Sequence, residues 1–264
     1  MSIQLGMIGG GVMGEALLSR LLAQEIYRPE QVIVSEPQAQ RREVLAERYK
    51  ILVTPDNQAA SETPILLLAI KPQLFEVVTQ PLSPRVGQLV LSILAGLPLR
   101  RLEAAFPGQP VVRSMPNTPA TVGAGITAIA AGSQAQHEHL ALARQIFAAV
   151  GEVVEVPESL LDAVTGLSGS GPGYLAVIVE AMIDGGVAVG LPRPIATQLA
   201  VQTLRGTAEL LQAQNLHPAQ LKDQVTSPGG TTIAGIAQLE QAGVRSALIE
   251  AIRAACRRSQ ELGQ

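Results

Sequence analysis

Two short stretches, far apart in the chain, hold the residue types that could do chemistry. Near the start, Gly9, Gly11 and Gly14 fit G-x-G-x-x-G, with Gly10, Val12 and Met13 between them. Near the other end, Ser227-Pro228-Gly229-Gly230-Thr231-Thr232 sets hydroxyls beside two glycines. The first pattern suits a diphosphate. One glycine permits the tight turn, the next lets backbone approach the anion, and the third lets a helix lie close to a strand. The second pattern suits a carboxylate. Ser227 and Pro228 end one helix, Gly229 and Gly230 permit an unusual backbone, and Thr231 and Thr232 open the next helix with free N–H groups and hydroxyls. Plainer readings stand beside both: a βα turn in some other α/β protein, and ordinary N-capping by Thr231 or Ser227. Two threonines and two glycines exceed what a cap requires.

Both stretches need elements to position them. Residues 3–8 are apolar and read as a buried strand, and the spacing of Ala16, Leu17, Leu18, Leu21 and Leu22 suits a helix packed on a sheet. Residues 31–36 read as a second strand, ending where dinucleotide folds place a ribose-reading residue. Ser35 there, with Arg41 or Arg42 beyond, favours NADP; Glu36 favours NAD if it points inward. The balance leans to NADPH, with NADH still possible; a solvated helix face is the alternative for one of the arginines. Residues 51–53 form a short third strand. Residues 64–70 are a continuous apolar run, the mark of a central parallel strand, ending at Lys71-Pro72. Lys71 is therefore placed to meet phosphate or ribose, or simply lies on the surface at a strand end. Further strands are expected at 88–94, 110–115, 125–131 and 151–156. Strands alternating with helices argue for an α/β, doubly wound Rossmann-type sheet.

Beyond Pro157 the pattern becomes helical. Ser159 can cap a helix from Leu160, and the apolar run 174–189 stops at Gly190-Leu191-Pro192. Val201, Leu204, Ala208 and Leu211 share one face, and Val244, Leu248, Ala251, Ile252, Ala255 and Cys256 form another stripe. The expected division is a dinucleotide-binding domain over 1–156 and an all-helical domain over 157–264, apolar enough to predict a subunit interface. The stretch 166–173, Gly-Leu-Ser-Gly-Ser-Gly-Pro-Gly, reads as small residues ahead of an apolar helix. Pro172 stands where a phosphate loop needs lysine.

Composition excludes several classes. The chain has 264 residues and is 47% hydrophobic but only 2% aromatic, so an aliphatic, Ala-rich core is expected. A net charge of -3 gives no footprint for nucleic acid or an anionic membrane. Cys256 is the only cysteine, so no intrachain disulfide can form, and His137, His139 and His217 lack metal-site spacing. No signal peptide or bilayer-length apolar segment is evident, so the expectation is a cytoplasmic protein without metal, nucleic acid or membrane as partner.

Five stretches together resemble the pyrroline-5-carboxylate reductase family: Gly6-Met7-Ile8-Gly9-Gly10-Gly11-Val12-Met13-Gly14; Ala69-Ile70-Lys71-Pro72; Arg113-Ser114-Met115-Pro116-Asn117-Thr118-Pro119; the run from Asp162 through Ser168-Gly169-Ser170-Gly171-Pro172; and Leu221-Lys222-Asp223 through Thr232, with Val244-Arg245 and Arg258-Ser259 downstream. The resemblance runs nearly end to end, and the stretch ending at Thr232 is far more specific than the glycine triplet. It implies a Rossmann domain followed by a helical dimerisation domain, and NAD(P)H-dependent reduction of 1-pyrroline-5-carboxylate to L-proline, the last step of proline biosynthesis. It also implies intertwined homodimers, often assembled into decamers. Carried over by motif, Ser227, Thr231 and Thr232 meet the small-molecule substrate at its carboxylate and ring nitrogen, with Thr232 the catalytic candidate and Gly229 and Gly230 shaping the site. Gly9, Gly11, Val12, Met13 and Gly14 hold the coenzyme, with Ser35 at the second-strand end. Asn57 meets the adenosine ribose, and Ala69, Lys71, Pro72, Ala95 and Asn117 line the crevice. The segment Ser35-Glu36-Pro37 varies in the family, and Gly173 stands where alanine is usual. Two rivals remain. A β-hydroxyacid dehydrogenase would need a catalytic lysine on its interdomain helix, yet no lysine lies between Lys71 and Lys222. A dinucleotide-sensing module would bind NADPH without consuming it.

Overall fold

The structure is a computed structural model and describes residues 2–263. It forms two compact units. The first runs to Ser170 and takes back the segment from Arg253 onward; the second is Gly171–Ile252.

The first unit is built on one sheet of eight strands. In chain order these are β1 (Leu5–Ile8), β2 (Val32–Ser35), β3 (Leu52–Thr54), β4 (Ile65–Leu68), β5 (Leu89–Ser92), β6 (Val111–Met115), β7 (Gly125–Ala131) and β8 (Gly151–Glu155). Their spatial order is β3-β2-β1-β4-β5-β6-β7-β8. The order reverses between β1 and β4, which pair in parallel with Leu5 against Ile65, and ligands of such sheets lie beyond the strand ends at that switch. All pairings are parallel except β6 with β7. Only a short 3-10 turn, Thr118–Val122, separates these two, and a parallel return needs a crossover that this length cannot supply. All eight expected strands occur; β7 has the expected bounds, and the others are trimmed or shifted by a residue or two at their ends.

The sheet is covered on both faces. Helices α1 (Val12–Ala23), α2 (Ala39–Tyr49), α3 (Asn57–Ser61), α4 (Phe75–Thr79) and α5 (Leu99–Ala105) follow β1 to β5 in turn, and α6 (His137–Ala148) follows β7. Alternation along the strands sorts the core into two layers. Leu67 and Leu91 join Leu17, Leu21 and Phe147 on one side, while Leu66, Leu68 and Val90 join Phe75, Leu102 and Phe106 on the other. The three phenylalanines are all fully buried here, so the sparse aromatics are concentrated within an otherwise aliphatic core.

After β8, a 3-10 turn at Glu158–Leu160 leads into α7 (Leu161–Val164). Ser159 therefore sits inside the turn; Pro157 precedes it and no side chain caps it. The small residues ahead of the apolar helix are themselves helical: Thr165–Gly169 make one π-helical turn, and α8 (Gly171–Ala188) starts two residues on.

In the second unit, α8 packs against α9 (Arg193–Gln214), with α10 (Pro218–Gln224), α11 (Thr231–Gln241) and the first part of α12 (Val244–Leu262) following. A Cβ on Gly186 would come 3.1 Å from Ala196 Cβ, so the two helices approach closely there. Ala196 and Ala200 are buried on this seam, and Leu204 and Leu211 are half-buried. Val201, expected on the same face, is 50% exposed because the seam runs through Ala196, Ala200 and Leu204; Ala208, further along that i, i+4 row, is exposed as well. The α12 stripe is as expected: Val244, Leu248, Ala251, Ile252, Ala255 and Cys256 are the half-buried positions. Elsewhere the second unit leaves Val177, Val189, Leu199 and Leu239 largely in the open. Among the described residues no helix is long and apolar enough to cross a membrane.

Candidate functional site

β1 enters the glycine turn with Gly9 at φ 104°, a left-handed conformation that favours glycine. A Cβ on Gly9 would come 2.4 Å from Ala69 O, and one on Gly14 would come 2.6 Å from Gly9 O. These two glycines are therefore required by the chain's own packing against the end of β4. Gly11 differs, because a Cβ there would meet nothing within 4 Å. It is also the N-cap of α1, and no side chain satisfies that helix start. Gly11 and Val12 face outward while Met13 packs inward on the core. Open space over an uncapped N-terminus of a twelve-residue helix fits a dinucleotide's diphosphate.

The adjoining strand end supplies polar groups. Ser35 Oγ donates to Asn57 Oδ1 at 2.6 Å, joining the end of β2 to the first residue of α3. Asp56 caps α3 by accepting from Gln58 N, which leaves the Asn57 amide for Ser35. Glu36 points inward. Its Oε2 accepts from Gly10 N at 3.0 Å and its Oε1 from Gln38 N at 3.1 Å. Arg42 Nη1 donates to the carbonyls of Glu36 and Pro37 at 2.7 and 2.8 Å. Arg41 is spent otherwise: its Nε donates to Gly10 O and its Nη2 pairs with Glu15.

Glu15, in the first turn of α1, also accepts from Tyr49 Oη and pairs with Arg48. Burial opposes its charge, but the Arg41 and Tyr49 hydrogen bonds and the two arginine charges outweigh that and hold its carboxyl below the ordinary value. No local pattern marks this cluster, because Glu15 and its partners lie 26 to 34 residues apart.

Across the switch point, Ala69 N donates to Ile8 O at 2.8 Å, and its Cβ lies against the position of Gly14. Lys71 is exposed and precedes a 3-10 turn at Pro72–Leu74. Pro72 and Ala95 meet in one cleft of about 410 Å³, lined also by Leu97, Arg101 and Leu262. Asn117 is 9% exposed and its amide is doubly used, accepting from Ile126 N and donating to Ser168 O. It ties the β6–β7 connection to the π turn. Gly169 in that turn would bring a Cβ to 2.6 Å from Met115 Cε, so small residues there allow close packing on the end of β6.

The second stretch lies in the other unit. α10 ends at Gln224, and Gly229 takes φ 68°. Gly230 N donates to Ser227 O at 3.0 Å, closing a turn. Gly230 is the N-cap of α11, and no side chain caps it. Neither Ser227 nor Thr231 performs the ordinary capping that offered the plainer reading. Ser227 and Thr231 are exposed and Thr232 is half-buried. A helix start with free amides and three nearby hydroxyls can accept a carboxylate. Of the acids on α8, Asp184 is exposed and paired with Arg193 at 2.8 Å, and Glu180 is exposed as well.

Two family profiles and several known proteins resemble this chain. A family profile described as "Pyrroline-5-carboxylate reductase dimerisation" matches residues 158–262. One described as "NADP oxidoreductase coenzyme F420-dependent" matches residues 4–96. A pyrroline-5-carboxylate reductase of Synechocystis sp. is 59% identical over 266 residues, covering all of both chains. A solved structure of a pyrroline-5-carboxylate reductase from Coxiella burnetii superposes with a TM-score of 0.91 at 32% identity, covering 99% of each chain. A Plasmodium falciparum pyrroline carboxylate reductase with NADP bound superposes with a TM-score of 0.90 at 29% identity, covering 99% of this chain and 98% of that one.

Proposed function

We propose residue roles that proceed from one premise: this chain belongs to the pyrroline-5-carboxylate reductase family. It is an NAD(P)H-dependent oxidoreductase that reduces 1-pyrroline-5-carboxylate to L-proline, the last step of proline biosynthesis. It forms a homo-oligomer through its helical domain.

The observation that carries the residue assignment is a shared feature of α1 and α11: each starts on a glycine, Gly11 or Gly230, with no side-chain cap. On this reading Gly9 and Gly14 shape the turn, and Gly11, Val12 and Met13 present α1 to the diphosphate. Ser35 and Asn57 hold the adenosine ribose. Ala69, Lys71, Pro72 and Ala95 line the crevice, and Asn117 braces its far wall. The bound coenzyme supplies the hydride. Thr231 and Thr232 amides, with the Ser227 and Thr231 hydroxyls, anchor the substrate carboxylate, and Gly229 and Gly230 give that anchor its shape. Thr232 Oγ1 bonds the ring nitrogen and orients the imine carbon. When the substrate binds as the protonated iminium, hydride adds to that carbon, the C=N π pair moves to nitrogen, and the existing N–H proton stays. The chain then supplies position and electrostatic fit rather than an acid.

The exposed apolar residues of the second unit support a dimer in which residues 157–264 carry both the substrate loop and the subunit interface, with decamers built from such dimers. A cytoplasmic site of action fits the single cysteine. The test is loss of NADPH or NADH absorbance on adding pyrroline-5-carboxylate, with L-proline identified as product. Coenzyme binding without consumption would sink the reading and leave a sensing module.

A further inference from the structure

Coenzyme choice is decided where the two dinucleotides differ, at the adenosine 2′ position. We propose that Glu36 and Arg42 form an opposed pair that sets this choice, with Glu36 disfavouring a 2′-phosphate and Arg42 attracting it. The proposal rests on the ribose assignment to Ser35 and Asn57 made above.

The backbone fixes both residues at one strand end. Glu36 N donates to Thr54 O at 3.0 Å, so the β2–β3 ladder continues through Glu36, and Gly9 N donates to Ser35 O at 2.8 Å. Glu36 is 8% exposed, with its carboxylate turned onto the glycine turn through Gly10 N and held on its other oxygen by Gln38 N. A carboxylate offers about four lone-pair positions, so those two bonds leave capacity for a further donor. A ribose 2′-hydroxyl is such a donor. A 2′-phosphate brings two negative charges and no comparable donor, so the same carboxylate repels it.

Arg42 pulls the other way. Nη1 is held by two backbone carbonyls, of Glu36 and Pro37, which pins the guanidinium beside the carboxylate it opposes. Its Nε and Nη2 hydrogens remain for an anion, in the geometry that suits phosphate. Arg41 cannot substitute, since Glu15 and Gly10 O occupy it. The site therefore carries one element of each specificity, and neither coenzyme is strongly excluded.

The test uses the full-length enzyme and two variants. Glu36→Gln keeps an acceptor for Gly10 N and removes the charge; it is expected to raise the NADPH-to-NADH ratio of kcat/KM about tenfold. Arg42→Ala is expected to lower that ratio about tenfold. Calorimetric titration with 2′,5′-ADP and with 5′-ADP reads the same subsite without turnover. Glu36→Gln should tighten 2′,5′-ADP selectively and Arg42→Ala should weaken it selectively. If either variant leaves the ratio of the two dissociation constants at the wild-type value, or shifts both ligands equally, Glu36 is only a brace for the turn and the pairing is wrong. Loss of imine reduction with shifted ADP selectivity would instead count against the functional reading alone.

Discussion

The two helix starts are built by different means. At Gly9–Gly14 the conformation is forced by neighbours: Gly9 and Gly14 have backbone oxygens where a side chain would go, and Gly10 N is bonded to a buried carboxylate. At Ser227–Thr232 one turn bond closes the loop, and most of its residues are exposed. The first site is held in shape by the packing of its own sheet. The second takes its shape locally, from Gly229 at φ 68° and from Gly230, where a Cβ would come 2.3 Å from Ser227 Oγ, and its amides and hydroxyls remain available for a ligand. Substitutions at the first should therefore separate into structural and binding classes, whereas those of the hydroxyl residues Ser227, Thr231 and Thr232 at the second should affect function with little cost in stability.

The largest effect is expected at Gly9. Gly9→Ala must adopt φ 104° and place a Cβ 2.4 Å from Ala69 O. We expect a loss of about 3 kcal/mol in denaturant unfolding, with coenzyme binding lost alongside. Gly11→Ala is the sharper companion. Gly11 has φ -70°, which alanine adopts freely, and nothing lies within 4 Å of its Cβ. Stability should fall by only about 1 kcal/mol, the cost of alanine in place of glycine at an N-cap, while the coenzyme KM rises about a hundredfold from displacement of the diphosphate. Equal stability losses in the two variants would erase the distinction between a forced glycine and an open one.

How legible each region was follows from the same contrast. The strands were read from runs such as Leu66-Leu67-Leu68, because a strand buried on both faces needs continuous apolar sequence. The glycine turn was read because Gly9 and Gly14 answer to steric demands that any such turn imposes. The helical state of Gly166–Gly171 was not read, because glycine and serine have weak helix propensity and the π turn is stabilised by packing against Met115. Glu15 with Arg41, Arg48 and Tyr49 was invisible for a different reason: only the tertiary fold brings α1 and α2 side by side. The face of α9 was misjudged at Val201, since an apolar helix offers several candidate stripes until its partner helix selects one.

On the loop side, Thr232→Ala should lower kcat/KM with pyrroline-5-carboxylate about a hundredfold, the scale for losing one oriented polar group. Its Tm should match wild type, because no side chain caps α11 and the loop bears little packing. A Tm drop comparable to that of Gly9→Ala would show that the loop is as structurally constrained as the glycine turn. Full turnover would remove Thr232 from the mechanism.

The smallest effect concerns pH and separates the regions by charge. Glu15 is held below its ordinary value of 4.5 in the folded protein. Its contribution to stability is therefore complete above about 4.5 and disappears as pH falls through the lower folded value, because the unfolded chain takes up its proton first. Replacing it by glutamine keeps the shape and removes the charge from a network that Arg41, Arg48 and Tyr49 share. The expected cost at neutral pH is about 1 kcal/mol, since the pairs are partly solvated. Unfolding of wild type and Glu15→Gln, compared at neutral pH and near pH 3.5, should show that difference shrinking at the lower pH. Ser227, Thr231 and Thr232 do not titrate, so variants there should show stability differences that are flat over the same range. A Glu15 difference that persists unchanged in acid would mean that the network of Glu15, Arg41, Arg48 and Tyr49 acts through packing rather than charge.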